Sequence, residues 1–159
     1  MPYTTGIDGT RLYYEEDGTG VPIVFLHGFT LDHRMWQVQK EYFSKNYRVI
    51  VHDSRGHGKS DAPSTNYSRD TRVEDLLMTL DQLGIEQCHL VGLSMGGSTG
   101  ILFALKYPQR LISLTLVSTG AAGWSVGKKI SKLDDLAQTK GKEVALEQWL
   151  AWALQWYKG

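Results

Sequence analysis

The segment Gly92-Leu93-Ser94-Met95-Gly96-Gly97 limits what this chain can fold into more than any other. A short apolar run of β type, residues 88–91, precedes it. A helix-like run, residues 100–107 (GILFALKY), follows it and is ended by Pro108. A serine on a tight turn from strand to helix is pushed out of the sheet plane into a strained backbone. Glycines on either side let the main chain pass close to its neighbours. The helix starts just after Ser94, so its free N–H groups and positive end point toward the hydroxyl. That geometry suits a nucleophilic serine. G-x-S-x-G alone is a weak signal, and here its weight comes from the flanking strand and helix.

A chain of 159 residues is long enough to bury a real core in one domain. Lys+Arg and Asp+Glu are both 17, so no basic face points to nucleic acid. No apolar run approaches the length of a membrane span, and the polar, turn-rich opening residues do not read as a leader. Cys88 is the only cysteine. It excludes an internal disulfide, fits a reducing, cytoplasmic setting, and reads as a small core residue at a strand start.

Residues 3–7 and 10–16 form an expected hairpin around a two-residue Asp8-Gly9 turn. Residues 21–26 (VPIVFL) are continuously apolar, as in a strand covered on both faces. His27-Gly28-Phe29-Thr30 follows at the carboxyl end of that strand. A helix is expected from Asp32 or His33 to Phe43, with Met35, Trp36, Val38, Tyr42 and Phe43 apolar. Residues 47–52 are the next strand, and Asp53-Ser54-Arg55-Gly56-His57-Gly58-Lys59-Ser60 is a glycine-punctuated loop. Residues 69–83 form a helix with Val73, Leu76, Leu77, Leu80 and Leu83 on one stripe and Gly84 as its stop. Residues 111–118 are a further strand. Alternating strands and helices predict a mostly parallel sheet with helices on both faces. Ligands bind such sheets at the carboxyl ends of the strands, where His27, Phe29, Asp53 and Ser94 fall.

The character changes after Gly120. Residues 133–140 and 142–157 look helical, and Ala145, Trp149, Trp152 and Trp156 form one stripe, read as packing; Trp124 also lies in this region. The division expected is therefore a core over residues 1–120 and the start of a helical cap over 121–159.

Three motifs in unbroken order, His27-Gly28-Phe29-Thr30, Asp53-x-Arg55-Gly56-x-Gly58-x-Ser60 and Gly92-Leu93-Ser94-Met95-Gly96-Gly97, resemble the α/β-hydrolase superfamily. The nearest look is to small ester, enol-lactone and carbon–carbon bond hydrolases such as 3-oxoadipate enol-lactonases. The resemblance implies that Ser94 is the nucleophile and that the backbone N–H groups of Phe29 and Met95 form the oxyanion hole. His27 and Gly28 would turn the chain so that the Phe29 N–H faces the site, and Gly92 and Gly96 would flank the elbow. Asp53 and Arg55 would hold their loop. A substrate-carboxylate clamp is the alternative role for Arg55. The substrate would be a small ester or lactone, with no metal, no cofactor, no nucleic acid and no membrane involved.

The chain departs from the family in one respect. The family order is Ser, then Asp or Glu, then His. His27, His33, His52, His57 and His89 all precede Ser94, and Asp134 and Asp135 fall in the cap-like segment. The general base and acid of the triad are therefore missing, with His57 as the one stand-in weighed. The expectation is an amino-terminal portion of such a hydrolase, truncated within the cap. Its last strand would be an open edge, covered by a second copy or by a complementary carboxyl-terminal half. A non-catalytic domain acting through association is the competing reading, and a haloperoxidase-like side activity on the same serine stays open.

Overall fold

The computed structural model describes residues 2–120, 136, 139–141, 143–145, 147, 148 and 151. Six strands form one sheet: β1 (Tyr3–Thr5), β2 (Arg11–Asp17), β3 (Pro22–Leu26), β4 (Arg48–His52), β5 (Cys88–Leu93) and β6 (Leu111–Val117). Their order is β1-β2-β4-β3-β5-β6. The first two pairings are antiparallel, and β4, β3, β5 and β6 run parallel. Leu26 pairs with His52 on one side and with Gly92 on the other. The residues that leave β3, β4 and β5 therefore do so at one level, along the carboxyl edge.

The period of two in the strands supplies two hydrophobic faces. Val24, Leu26, Ile50, Cys88 and Leu90 pack with Val73, Leu76 and Leu80 of helix α2 (Arg69–Gln82) and Phe103 of helix α3 (Met95–Lys106). Ile23, Phe25, Val49 and Val51 face the other way and meet Trp36, which lies in a 3₁₀ turn (His33–Trp36) leading into helix α1 (Gln37–Phe43). Each such apolar side chain contributes about 1.5–3 kcal/mol on burial. Helices on both faces of a mostly parallel sheet are what the sequence pattern predicted. Cys88 opens β5 fully buried, and burial pushes its thiol up to about 12.

Two local expectations are corrected. The turn between β1 and β2 is not a two-residue Asp-Gly turn but spans residues 6–10, closed by Gly6 N–H to Thr10 O at 2.8 Å. Within that turn the Asp8 carboxylate accepts from Thr10 N–H and also from Arg55 Nη1 at 2.9 Å. In the first helix Val38 and Tyr42 are not core residues, being 74% and 66% exposed. The 3₁₀ turn aims Trp36 at the sheet, and Lys40 takes the buried position, paired with Glu15 at 2.6 Å and Asp17 at 2.9 Å. Helix α2 ends at Gln82 with Leu83 as its cap, and Gly84 just beyond has φ +65°, the left-handed conformation of a glycine stop.

Strand β6 is an outer strand of the sheet formed by the described residues. Ile112, Leu116 and Val117 are exposed, and Leu114 is half-buried against α3's face of the core. The chain divides into two compact units, Met1–Gly120 and Ala121–Gly159. In the second, residues 136, 139, 140, 143–145, 147, 148 and 151 are helical, Gly141 has φ +95°, and Ala145 is buried. Trp124, Trp149, Trp152, Trp156, Asp134 and Asp135, named above for the stripe and the cap, lie outside the described residues.

Candidate active site

Ser94 sits between β5 and α3 with φ 49° and ψ −106°. A residue with a side chain holds such torsions only when its surroundings enforce them. Here the enforcement is visible on all sides. Ser94 N–H donates to Val117 O at 3.0 Å, and Ser94 O accepts from Ser98 N–H at 2.9 Å and from Thr119 Oγ1 at 2.7 Å. The turn is tight enough to require glycine. A Cβ on Gly92 would lie 2.6 Å from the Gly96 carbonyl, and one on Gly96 would lie 2.7 Å from the Leu26 carbonyl carbon. Ser94 itself is exposed, at the amino end of α3. Met95 is the first residue of that helix, whose opening N–H groups have no intrahelical acceptor.

The loop after β3 reaches the same place. Gly96 N–H donates to His27 O at 3.1 Å, which joins the start of α3 to the end of β3. The His27 ring is fully buried. Its Nε2 accepts from Ser54 N–H at 3.0 Å, so the ring proton resides on Nδ1, which donates to Gly28 O at 2.8 Å. Burial pushes this imidazole down to about 4, so it is neutral over the ordinary pH range. Gly28 packs against Leu93, the residue before the serine. Phe29 stands exposed at the crown of the loop, with its ring edge-to-face on His57.

Asp53 and Arg55 are held within the fold. Asp53 is fully buried and accepts from His33 N–H at 2.6 Å, from His33 Nδ1 at 2.8 Å and from Lys59 N–H at 2.9 Å. The Arg55 side chain is also fully buried. Nε and Nη2 donate to Asp75 at 2.6 and 2.8 Å, Nη1 and Nη2 to Asp8 at 2.9 and 3.1 Å, and Nη1 to Asn66 O at 3.0 Å. All five guanidinium donors are thereby used. The substrate-carboxylate clamp, the alternative weighed for Arg55, has no donor left to make it. Its hydrogen bonds to Asp75 and then to Asp8 raise the guanidinium further above its already high value, and Arg55 in turn holds Asp8 below the usual carboxylate range.

No imidazole reaches Ser94 Oγ among the described residues, which include all five histidines. His27 and His33 are bonded as above, His57 Nδ1 pairs with Arg55 O, and His89 Nδ1 pairs with Ser113 Oγ. His52 is buried with neither ring nitrogen partnered, and burial pushes it down. His57, the stand-in considered, makes no hydrogen bond to Ser94; its Nδ1 meets Arg55 O. The acid–imidazole pair that does exist, Asp53 with His33, turns its second nitrogen to Glu15 at 3.2 Å. Its signal was legible in principle, since Asp32-His33 and Asp53 both follow strands that end along one edge. Asp32, His33 and Asp53 also bring three ligand-type atoms within 4.8 Å of one another. Arg34 already occupies the Asp32 carboxylate at 2.6 Å, and the Asp53 oxygens are engaged as above, so the trio is satisfied without an ion. No described helix is long and apolar enough to cross a membrane.

The sequence profile of the alpha/beta hydrolase fold matches residues 21–153. The 3-oxoadipate enol-lactonase 1 of Acinetobacter baylyi is 39% identical over 103 residues, covering 65% of this chain and 38% of that protein. A non-heme chloroperoxidase of Streptomyces lividans is 38% identical over 122 residues, covering 74% of this chain and 44% of the other. Among solved structures, a thermophilic esterase from Thermogutta terrifontis superposes with a TM-score of 0.81 at 34% identity, over 92% of this chain and 56% of that one. The chain thus spans about half the length of the proteins it matches.

Proposed function

The chain belongs to the alpha/beta hydrolase fold family, and from that premise we propose that Ser94 is the nucleophile of a serine hydrolase acting on small esters, lactones or related carbonyl compounds. The observation that carries the reading is the left-handed Ser94, at φ 49° between a parallel strand and a helix amino terminus. Ser94 Oγ attacks the carbonyl carbon, and negative charge collects on the carbonyl oxygen. The N–H groups of Met95 and Phe29 donate to that oxygen; losing one such donor costs about 10²–10³ in rate. The alcohol or enol leaves with a proton, and water then releases the acid from acyl-Ser94. His27, Gly28, Gly92 and Gly96 shape the two backbone turns, and Asp53 and Arg55 hold the neighbouring loop. No cofactor enters these steps.

The step that needs help is removal of the Ser94 proton. A hydroxyl without a base is a weak nucleophile, and no described imidazole bonds this one. We therefore expect slow or undetectable turnover of p-nitrophenyl acetate by this 159-residue chain. The sharper test uses an alkyl fluorophosphonate with added imidazole as an external base, and reads the modified residue by mass spectrometry. Label on Ser94 that quickens with imidazole and vanishes in Ser94→Ala supports the reading. Label elsewhere, or none at any imidazole concentration, overturns it.

A second reading is association without catalysis, favoured by the exposed Ile112, Leu116 and Val117 on outer strand β6. A second copy or a complementary carboxyl-terminal half would cover that strand. The single cysteine, buried in β5, fits a reducing, cytoplasmic setting for either reading.

A further inference from the structure

The loop after β3 is an arch whose two feet stand on neighbouring residues at the end of β4. At the near foot, Ser54 N–H donates to His27 Nε2 at 3.0 Å. At the far foot, His33 N–H and His33 Nδ1 both donate to the Asp53 carboxylate, at 2.6 and 2.8 Å. The crown, residues 28–32, carries Phe29 and a left-handed Thr30 (φ 66°), and Leu31 N–H closes it onto Gly28 O at 3.2 Å.

We infer that His33 is a positioning residue for this arch: its imidazole pins the far foot to Asp53 and so sets where the Phe29 N–H stands relative to Ser94. The inference rests on the oxyanion-hole reading above. His33 is 4% exposed, and its ring is fixed from both ends. Nδ1 meets Asp53, while Nε2 lies 3.2 Å from Glu15, whose carboxylate is itself held by Lys40 at 2.6 Å and by Tyr13 Oη at 2.9 Å. The Tyr13 ring packs on the imidazole at 5.0 Å. Such a ring cannot turn without breaking contacts to β2 and to Asp53 together. A histidine kept for packing alone would need only the Tyr13 contact. The bond to Asp53 also fixes the rotation of that carboxylate: Oδ2, which meets the ring, takes Lys59 N–H at 2.9 Å as well, and Oδ1 takes the His33 N–H. Placement matters because a shift of about 1 Å at a reacting centre can cost 10²-fold in rate.

The test has two arms on the whole chain. In the first, ¹⁵N spectra and hydrogen exchange are compared for wild type, His33→Phe and His33→Gln. Phe keeps the ring packing and removes both polar contacts; Gln restores one donor toward Asp53. We expect His33→Phe to move the amide signals of residues 28–31 and to speed exchange of the Leu31 N–H by about tenfold or more. Leu90, deep in β5, stays unchanged, and His33→Gln recovers part of the shift. Unmoved signals for residues 28–31 in His33→Phe overturn the inference. So does a loss of protection spread evenly over the sheet, which marks a merely structural residue. If His33→Phe does not fold, His33→Gln decides by the same signals. In the second arm, imidazole-assisted phosphonylation of Ser94 slows by about tenfold in His33→Phe, with half-saturating reagent unchanged. An unchanged rate in a variant whose arch has moved overturns the link to Ser94. Absence of Ser94 labelling in wild type is a failure of the hydrolase reading instead, and leaves the first arm to decide the arch.

Discussion

The His27 ring ties stability to pH in a way that can be worked out from its two hydrogen bonds. Ser54 N–H points at Nε2, so a proton added there would face a donor. The folded ring therefore protonates near 4, against 6.5 for a free histidine, and burial is the main cause. A depressed histidine leaves stability intact above 6.5, because both states are then neutral. As pH falls through 6.5 the unfolded state takes up its proton first, so stability is lost until the folded ring also protonates near 4. At about 1.4 kcal/mol per pH unit, the loss is about 2 kcal/mol at pH 5 and about 3 kcal/mol at pH 4. Urea unfolding followed by circular dichroism at pH 7 and pH 5 measures it. With a slope of about 1.3 kcal/mol per molar, the midpoint falls by about 1.5 M. His27→Gln keeps an acceptor for Ser54 N–H and cannot titrate, so its midpoint falls by correspondingly less over the same interval. His52, buried and shifted in the same direction, contributes equally to both proteins. Identical falls in wild type and His27→Gln would falsify the assignment of His27 as a buried neutral acceptor.

Ser94→Gly removes the hydroxyl but relieves a left-handed residue, so it should stabilise the fold by about 1 kcal/mol, or about 2–4 °C in Tm; a lower Tm would mean the torsion carries no strain. Arg55→Ala leaves Asp75, 2% exposed, without its partner and should cost about 3–5 kcal/mol in urea unfolding. Arg55→Lys should recover little, since an ammonium cannot make the forked contacts to both carboxylates. An Arg55→Ala protein of wild-type stability refutes the staple. Sedimentation of the purified chain should show self-association through the exposed β6 side chains, and a monomer at high concentration with one cooperative transition argues against it.

The sheet was legible because its signals are local and repeated. Continuous apolar strands, Gly84 as a helix stop and Pro108 after a helix each name their element without tertiary information. Ser94 was legible for a different reason: its strain is written into glycines that a Cβ would push into backbone, at Gly92 and Gly96. What escaped was decided by partners far away in sequence. Asp8 looked like turn chemistry, and its carboxylate does accept from Thr10 within the turn, but it also takes Arg55, 47 residues on, which the local pattern does not reveal. Val38 and Tyr42 counted with Trp36 among the apolar positions of the helix, but a 3₁₀ turn opens it, and Lys40 takes a buried place beside two carboxylates on β2.

The candidate site divides along the same line. Backbone parts of the candidate site, the turns at Gly28 and at Ser94, follow from residue types that such turns require. Side-chain parts depend on which loops meet, and the sequence does not order those meetings. Of the five histidines, His57 was the one stand-in considered, its motif marking it as a glycine-loop residue, and its Nδ1 meets a backbone carbonyl. His33, read in the sequence only as a possible helix start, receives the buried aspartate instead. The consequence is a division of labour among imidazoles by what faces them. His27 meets a donor at Nε2 and so accepts there, whereas His33 Nδ1 meets the Asp53 carboxylate and so donates. Both act on the same arch, one at each foot. Two histidines thus shape the loop after β3, and none of the five is hydrogen-bonded to Ser94.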